Sequence, residues 1–168
     1  MKYTGFLFFT IFAFHSVALN ASCGDFFSLS SAKEELERKL GFSTKLEGNE
    51  KSLILLDESN ELIAEAYFSV KDNLLKIILI DILEKKNYKK GISTFLFAHI
   101  LNQYPSIQKV EASISGENYK VFSTNFNNGL SCEEALLTTP AAKIRLKFGF
   151  RKILEANCDG VPKLVLAK

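Results

Sequence analysis

The sequence predicts an α/β (α+β) fold, a single domain with a mixed, mostly antiparallel sheet flanked by helices. Three observations predict it. Leu74 to Leu83 is an almost unbroken apolar run, interrupted by Lys76 and Asp81 and rich in Ile, which reads as a strand buried on both faces. Behind it, after a Lys-rich turn from Glu84 to Lys90, Gly91 opens a segment in which Ile92, Phe95, Leu96, His99 and Ile100 share one helical stripe. Ahead of it, Ser52 to Leu56 and Leu62 to Val70 are short strand-like runs separated by the turn sequences Asp57 to Asn60 and Lys71 to Asn73, a three-strand antiparallel meander.

The remaining elements follow in chain order. Ser30 to Glu34 reads as a capped helix start, Leu36 and Leu40 give that helix its apolar face, and Gly41 ends it. Phe42 to Leu46 is a candidate first strand. Pro105 stops the helix that begins near Ile92, and Val110 to Ser115 is a fifth strand, parallel to the fourth because a helical crossover joins them. A helix is expected from about Asn118 to Asn127, and Leu130 to Thr139 reads as an inserted stretch. Thr139-Pro140 opens a last helix with Ile144 and Phe148 toward the core. Phe150 to Leu154 and Leu164 to Ala167 are the closing strands.

With 168 residues, 47% hydrophobic and 24% charged, the chain is a folded single domain. A net charge of +2 and the lack of a basic stripe with interleaved aromatics argue against a nucleic-acid partner. Lys2, the apolar core Gly5 to Phe14, and the small residues Ala18 and Ala21 together read as a secretory signal peptide over residues 1–21, leaving a domain over residues 22–168. The apolar core is short for a membrane span, so no span is expected after processing; an uncleaved anchor or a buried N-terminal strand is the other reading. Ala21-Ser22-Cys23 also resembles the end of a lipoprotein processing site, with Asn20 where Leu is expected. The expected location is therefore exported, periplasmic or secreted. There Cys132 and Cys158, which flank the last helix, are the preferred disulfide pair, the alternative being three unpaired thiols with Cys23. No cysteine spacing suggests a metal site, His15 and His99 are too few to form one, and His99 reads as a packed histidine on the apolar stripe.

The strand, turn and helix around Gly91 have a chemical use. The first helical turn offers unpaired N–H groups and partial positive charge to an anion such as phosphate, and Gly91 permits close approach. Ser93 and Thr94 add hydroxyls, and Lys85, Lys86, Lys89 and Lys90 add charge; an ordinary turn with solvated lysines reads equally well from spacing alone. Asn87 to Ser93 resembles the acetyl-CoA-binding loop of the GNAT N-acetyltransferase superfamily, Arg/Gln-x-x-Gly-x-Gly/Ala, with Gly91 matching, Tyr88 in place of Arg or Gln, and Ser93 in place of Gly or Ala. Ala141 to Ile153 resembles the family's late Tyr-x-Lys-x-Gly-Phe segment, with Lys147, Gly149 and Phe150 matching and Arg145 where the Tyr belongs. Val110 to Asn118 resembles the fifth strand and the Asn that follows it.

The resemblance covers about residues 30–168 and implies a GNAT-like domain that uses acetyl-CoA as cosubstrate and an amine as acceptor. It implies cofactor contacts at Leu83, Lys89, Lys90, Gly91, Ile92, Ser93, Thr94 and Asn118, a gap between the fourth and fifth strands for the cofactor's arm, and the Leu83 backbone as a holder of the thioester carbonyl. A base is expected on the fourth strand, where Asp81 is the only carboxylate; a carboxylate there would share its side with Leu79 and Leu83, and burial would raise its pKa, or it is simply a strand-end Asp. Arg145 cannot donate a proton near neutral pH, so Tyr119 is the candidate acid. The alternative function is an exported, non-catalytic domain of the same fold that binds a ligand or protein. Removal of the signal is expected to leave an N-terminus after Ala18 or Ala21 in mass spectra of the exported protein; an intact Met1 in that fraction would contradict the signal-peptide reading.

Overall fold

The computed structural model describes residues 29–168; the signal segment, His15 and Cys23 lie outside the described residues. In chain order the elements are α1 (Leu29–Leu40), β1 (Thr44–Gly48), β2 (Ser52–Asp57), β3 (Leu62–Lys71), β4 (Leu74–Ile82), α2 (Ile92–Gln103), β5 (Lys109–Ser113), α3 (Gly116–Asn127), α4 (Cys132–Leu137), α5 (Pro140–Lys147), β6 (Lys152–Asn157) and β7 (Lys163–Ala167). The strands form one sheet in the order β1-β2-β3-β4-β5-β7-β6. Every neighbouring pair is antiparallel except β4 and β5, which are parallel across the α2 crossover as expected. The mixed, mostly antiparallel α/β domain is therefore what the sequence predicts.

The meander has four strands, one more than expected. β1 joins it because the turn after Gly48 is tight: Asn49 Oδ1 accepts from the backbone N–H groups of Lys51 at 2.8 Å and Ser52 at 3.0 Å, which sets Gly48 opposite Leu53. α1 is tied to this strand by Glu37, whose Oε1 accepts from Thr44 N at 2.6 Å and Thr44 Oγ1 at 3.1 Å.

Alternation sorts the strands onto two faces. On β3, Ala64, Ala66 and Phe68 point to the buried side, and Glu65, Tyr67 and Ser69 point the other way. The inward residues join one core with Leu36, Leu40, Phe95, Leu96, Ile100, Val110, Leu164 and Leu166. The opposite face of β3 and β4 is open to solvent. β4 is consequently not buried on both faces: Leu75 and Ile77 are in the core, but Ile78 is 63% and Leu79 41% exposed. An apolar run fits a strand covered on one face only when it carries exposed apolar residues, and sequence alone does not separate the two cases.

Three other boundaries differ. The stretch read as inserted contains α4, which begins with a reciprocal capping box between Ser131 and Glu134 and is joined to α3 by Asn125 Nδ2 donating to Thr138 Oγ1 at 2.8 Å. α5 buries Ala142 and Arg145, whereas the expected core residues Ile144 and Phe148 are only partly buried. β6 starts at Lys152, because Phe150 packs against Phe97 with ring centroids 6.1 Å apart before the strand begins.

Cys132 and Cys158 are bonded, with α-carbons 6.0 Å apart, and hold the start of α4 to the chain just past β6. Replacing both cysteines with alanine should lower the unfolding free energy in denaturant by about 3–4 kcal/mol, from the entropy of the loop they close. A second expectation concerns acid. Burial raises the Glu37 carboxyl, but its bonds to Thr44 outweigh that and leave it below its ordinary value of 4.5. A depressed carboxyl stabilises the fold above its unfolded pKa and loses that contribution as pH falls through the folded one. Glu37→Gln should therefore flatten the loss of stability below about pH 4.5 in melts taken across the acid range.

Candidate functional site

The site originates in one extra residue. Tyr67 pairs with Leu79 and Phe68 with Ile77, so Ile78 is a bulge in β4 facing no partner on β3. A bulge bends its strand, and the ladder from β4 to β5 ends at the same place, with Ile77 opposite Ala112. From Ile78 to Ile82, β4 continues beside β3 without a strand neighbour on its other side among the described residues. The two parallel strands thus part toward their carboxyl ends.

The register decides which backbone groups face this gap. Leu83 N donates to Ile63 O at 3.1 Å, so residue 83 points its amide at β3. In an antiparallel ladder that orientation alternates, so the N–H and C=O groups of Ile80 and Ile82 point away from β3, into the gap. The Leu83 amide, expected to hold a thioester carbonyl, is turned the other way.

α2 places its N-terminus at the same end, because a crossover helix runs back along the strands it connects. Its first intrahelical bond is Phe95 N to Gly91 O at 2.9 Å, and no side chain caps it. The N–H groups of Gly91, Ile92, Ser93 and Thr94 precede that bond, so they are the helix's unpaired donors. Gly91 has φ 101°, and an added Cβ there would meet open space. Glycine is required by the left-handed backbone rather than by a crowded surrounding. Lys89 also has positive φ, at 62°. Lys86 is engaged with Glu84 at 2.8 Å, while Lys85, Lys89 and Lys90 make no ion pair among the described residues.

α3 starts beyond β5 and borders the same opening. Glu117 pairs with Lys120 at 2.5 Å. The Lys120 bond holds the Glu117 carboxyl below its ordinary value, with Lys85 and Lys89 contributing charge, so the start of α3 lies near the Lys-rich turn. Tyr119 is half-exposed and lies against Phe122, ring centroids 6.0 Å apart. Asn118 Oδ1 accepts from Ala141 N at 2.8 Å, tying the first turns of α3 and α5 together. Asp81 sits between Ile80 and Ile82 with its side chain on the solvent face; it is exposed, so the burial expected for it is absent. His99 is packed against Phe95, ring centroids 6.5 Å apart, and partial burial lowers its pKa from the ordinary value.

Arg145 is a residue whose place the sequence did not reveal. It is 4% exposed, and its Nε and Nη1 have no hydrogen-bond partner. Burial pushes its pKa down to about 10, so it is still charged at neutral pH. A side chain on a helix leans toward the N-terminus, so Arg145 is directed back toward Ala141, the residue bonded to Asn118.

No family model matches the chain, and no curated protein matches it. Solved structures do. The chain is similar to the ribosomal-protein-S18-alanine N-acetyltransferase of Escherichia coli, at 13% identity over 72% of this chain and 70% of that one, with a TM-score of 0.42. It is similar to the PaiA N-acetyltransferase of Thermoplasma acidophilum in complex with coenzyme A, at 14% identity over 70% of this chain and 60% of that one, with a TM-score of 0.41. It is also similar to a spermidine/spermine N-acetyltransferase of Vibrio cholerae, at 16% identity over 70% of this chain and 68% of that one, with a TM-score of 0.40.

The unpartnered guanidinium makes a stability prediction. A buried charge without a partner is costly, and apolar residues of similar volume often replace buried ions with a gain of about 1–4 kcal/mol. Arg145→Met should therefore raise the denaturant midpoint of the ligand-free protein; an unchanged or lower midpoint would mean that Arg145 has a compensating partner in solution.

Proposed function

We propose that this chain binds an acyl-coenzyme A in the opening between β4 and β5 and transfers the acyl group, acetyl in the simplest case, to an amine. The observation that carries the reading is the unpaired β4 edge, Ile78 to Ile82, ending beside the uncapped start of α2. The two features fit the two halves of such a ligand. An extended arm with amide groups suits the edge donors and acceptors of Ile80 and Ile82, and a pyrophosphate suits the N–H groups of Gly91 to Thr94 with Lys89 and Lys90 beside them.

Coenzyme A would supply the thioester and a thiolate leaving group. The amine nitrogen would attack the thioester carbonyl carbon, a C–N bond forming as the C–S bond breaks. The chain would contribute three things. The Ile80 or Ile82 N–H would hold the carbonyl oxygen as charge develops on it, in place of the Leu83 backbone. Asp81 would take the proton of the acceptor ammonium and release it to solvent, and Tyr119 would give a proton to the departing thiolate and be reprotonated, through solvent, by the second proton the nitrogen loses as the amide forms. Asn118 would fix the start of α3 against α5 through its bond to Ala141.

We also propose that the protein is exported. The disulfide supports this, since such bonds persist in oxidising compartments. Export favours a second reading, a non-catalytic domain that uses the same opening to bind a ligand or protein. The exposure of Asp81 and Tyr119 and the presence of Arg145 on α5 favour it as well.

Calorimetry with CoA and acetyl-CoA tests both. The wild type should bind CoA, Lys90→Ala should bind it within a few-fold, and Gly91→Ala should bind clearly more weakly, at a folding cost of about 1–2 kcal/mol for the left-handed backbone. No CoA binding by the wild type would remove the acyltransferase reading. CoA binding without thiol release in the presence of amines would leave the binding domain.

A further inference from the structure

At the end of the sheet away from the opening, the register lines up one row of residues across five strands. Lys71 of β3 is opposite Leu74 of β4, Leu74 opposite Lys109 of β5, Lys109 opposite Ala167 of β7, and Ala167 opposite Lys152 of β6. Residues opposite one another share a face, and two positions further along their strands Ser69, Lys76 and Glu111 mark it as the one turned away from the core. Lys71, Lys109 and Lys152 are all exposed. Two strand spacings, about 10 Å, separate each lysine from the next, so the row spans roughly 20 Å.

Other lysines of this face are neutralised. Lys76 pairs with Glu111 at 2.9 Å and Lys163 with Glu155 at 2.6 Å, whereas Lys71, Lys109 and Lys152 make no ion pair among the described residues. Exposed Arg151 stands next to Lys152, and Lys168 follows Ala167 with its ammonium 5.2 Å from the Phe150 ring centroid. Against these cations the turn from Lys71 to Leu74 adds Asp72, while Glu50 and Lys51 in the β1–β2 turn offset each other. Unpaired like charges repel, so the row fits an opposite charge outside the domain. The chain also enters here. α1 packs on the core through Ala32, Leu36 and Leu40 and reaches Thr44, opposite Asp57 at the far end, by the short connection 41–43. Its length of about 18 Å carries Leu29 back toward the lysine row. The sequence before Leu29, with the apolar Gly5 to Phe14, thus joins the domain at the basic end.

We propose that this end of the sheet docks the domain on an anionic phospholipid surface, with Lys71, Lys109 and Lys152 as the electrostatic row and Arg151 and Lys168 beside it. Ammonium groups spread over such a distance match a plane of negative charge better than one small anion, and they need no fixed geometry to be drawn to it. Nucleic acid fits less well, since Leu74 and Ala167, which stand between the lysines, offer no ring for a base to stack on. No helix among the described residues is long and apolar enough to cross a membrane, so the domain lies on the surface. Ile82, at the open end of β4, is roughly 25 Å from the row, so docking leaves the opening on the aqueous side. None of this depends on the acyltransferase reading.

The test is flotation of the full chain with vesicles of phosphatidylcholine alone and of phosphatidylcholine mixed with phosphatidylglycerol, read as the ratio of the two affinities. The apolar Gly5 to Phe14 carries no charge and does not favour one lipid over the other. The wild type should prefer the anionic vesicles, and added salt should reduce the preference. Lys71→Gln, Lys109→Gln and Lys152→Gln should each lower the ratio about fivefold, and together on the order of a hundredfold. Their melting temperatures should stay unchanged because the positions are exposed. The single variants carry the same readout should the triple variant fail to fold. Lys85→Gln, Lys89→Gln and Lys90→Gln combined, which remove the same charge at the opposite end, should leave most of the preference. Equal affinity for the two lipids, a triple row variant that keeps the preference, or equal loss in both triple variants would overturn the surface. Binding of poly(uridylic acid) that the row substitutions abolish, without preference for phosphatidylglycerol, would overturn it in favour of nucleic acid.

Discussion

The bulge at Ile78 is the constraint on which the rest depends. One unpaired residue in β4 changes the strand's direction after Ile77, at the point where its ladder with β5 ends. Without it the two parallel strands would continue in contact, and the backbone groups of Ile80 and Ile82 would be consumed by β5. With it, the carboxyl ends of β4 and β5 separate, and α2 and α3, which follow those strands, start on either side of the gap. The opening follows from that local irregularity together with the α2 crossover, which brings the start of α2 to the same end of the sheet.

The sheet is also asymmetric in its packing. Its core joins alternate residues of β3, β4 and β5 and residues of β7 with α1 and α2 and with positions of α3, α4 and α5. The other side of β3 and β4 carries Glu65, Tyr67, Lys76, Leu79 and Asp81, with Tyr67 Oη donating to Glu65 Oε2 at 3.0 Å. Asp81 belongs to this open side. A carboxylate placed there is accessible to an incoming amine.

Much of the fold was legible in the sequence because it is encoded locally. The β4-turn-α2 unit, the parallel β5, and the start of α5 at Thr139-Pro140 rest on periodicity, turn residues and capping, all of which are properties of neighbouring residues. The Cys132–Cys158 bond was legible from the count and placement of thiols. Other features were not, for a physical reason. A bulge leaves no mark in an apolar run such as Leu74 to Leu83, since Ile is as suited to it as to a regular ladder. The orientation of the Leu83 amide depends on register with Ile63, a non-local fact. The burial of Arg145 reverses the usual exposure of arginine. α4 was readable in principle from Ser131 and Glu134 at capping-box spacing, but its six residues give too little periodicity to stand out from a loop.

An unpaired strand edge is ordinarily a hazard, since its free N–H and C=O groups recruit the edges of other molecules and lead to aggregation. The β4 edge is shielded from that outcome by where it lies. It is an interior edge, flanked by β3 on one side and narrowing to contact with β5 at Ile77 and Ala112. Neighbouring strands sit roughly 4.8 Å apart, so a wedge that closes onto β5 at Ile77 and Ala112 admits one extended chain more readily than the edge of a second sheet. The same narrowing that leaves room for a slender ligand arm therefore keeps this edge from nucleating assembly between copies of the protein.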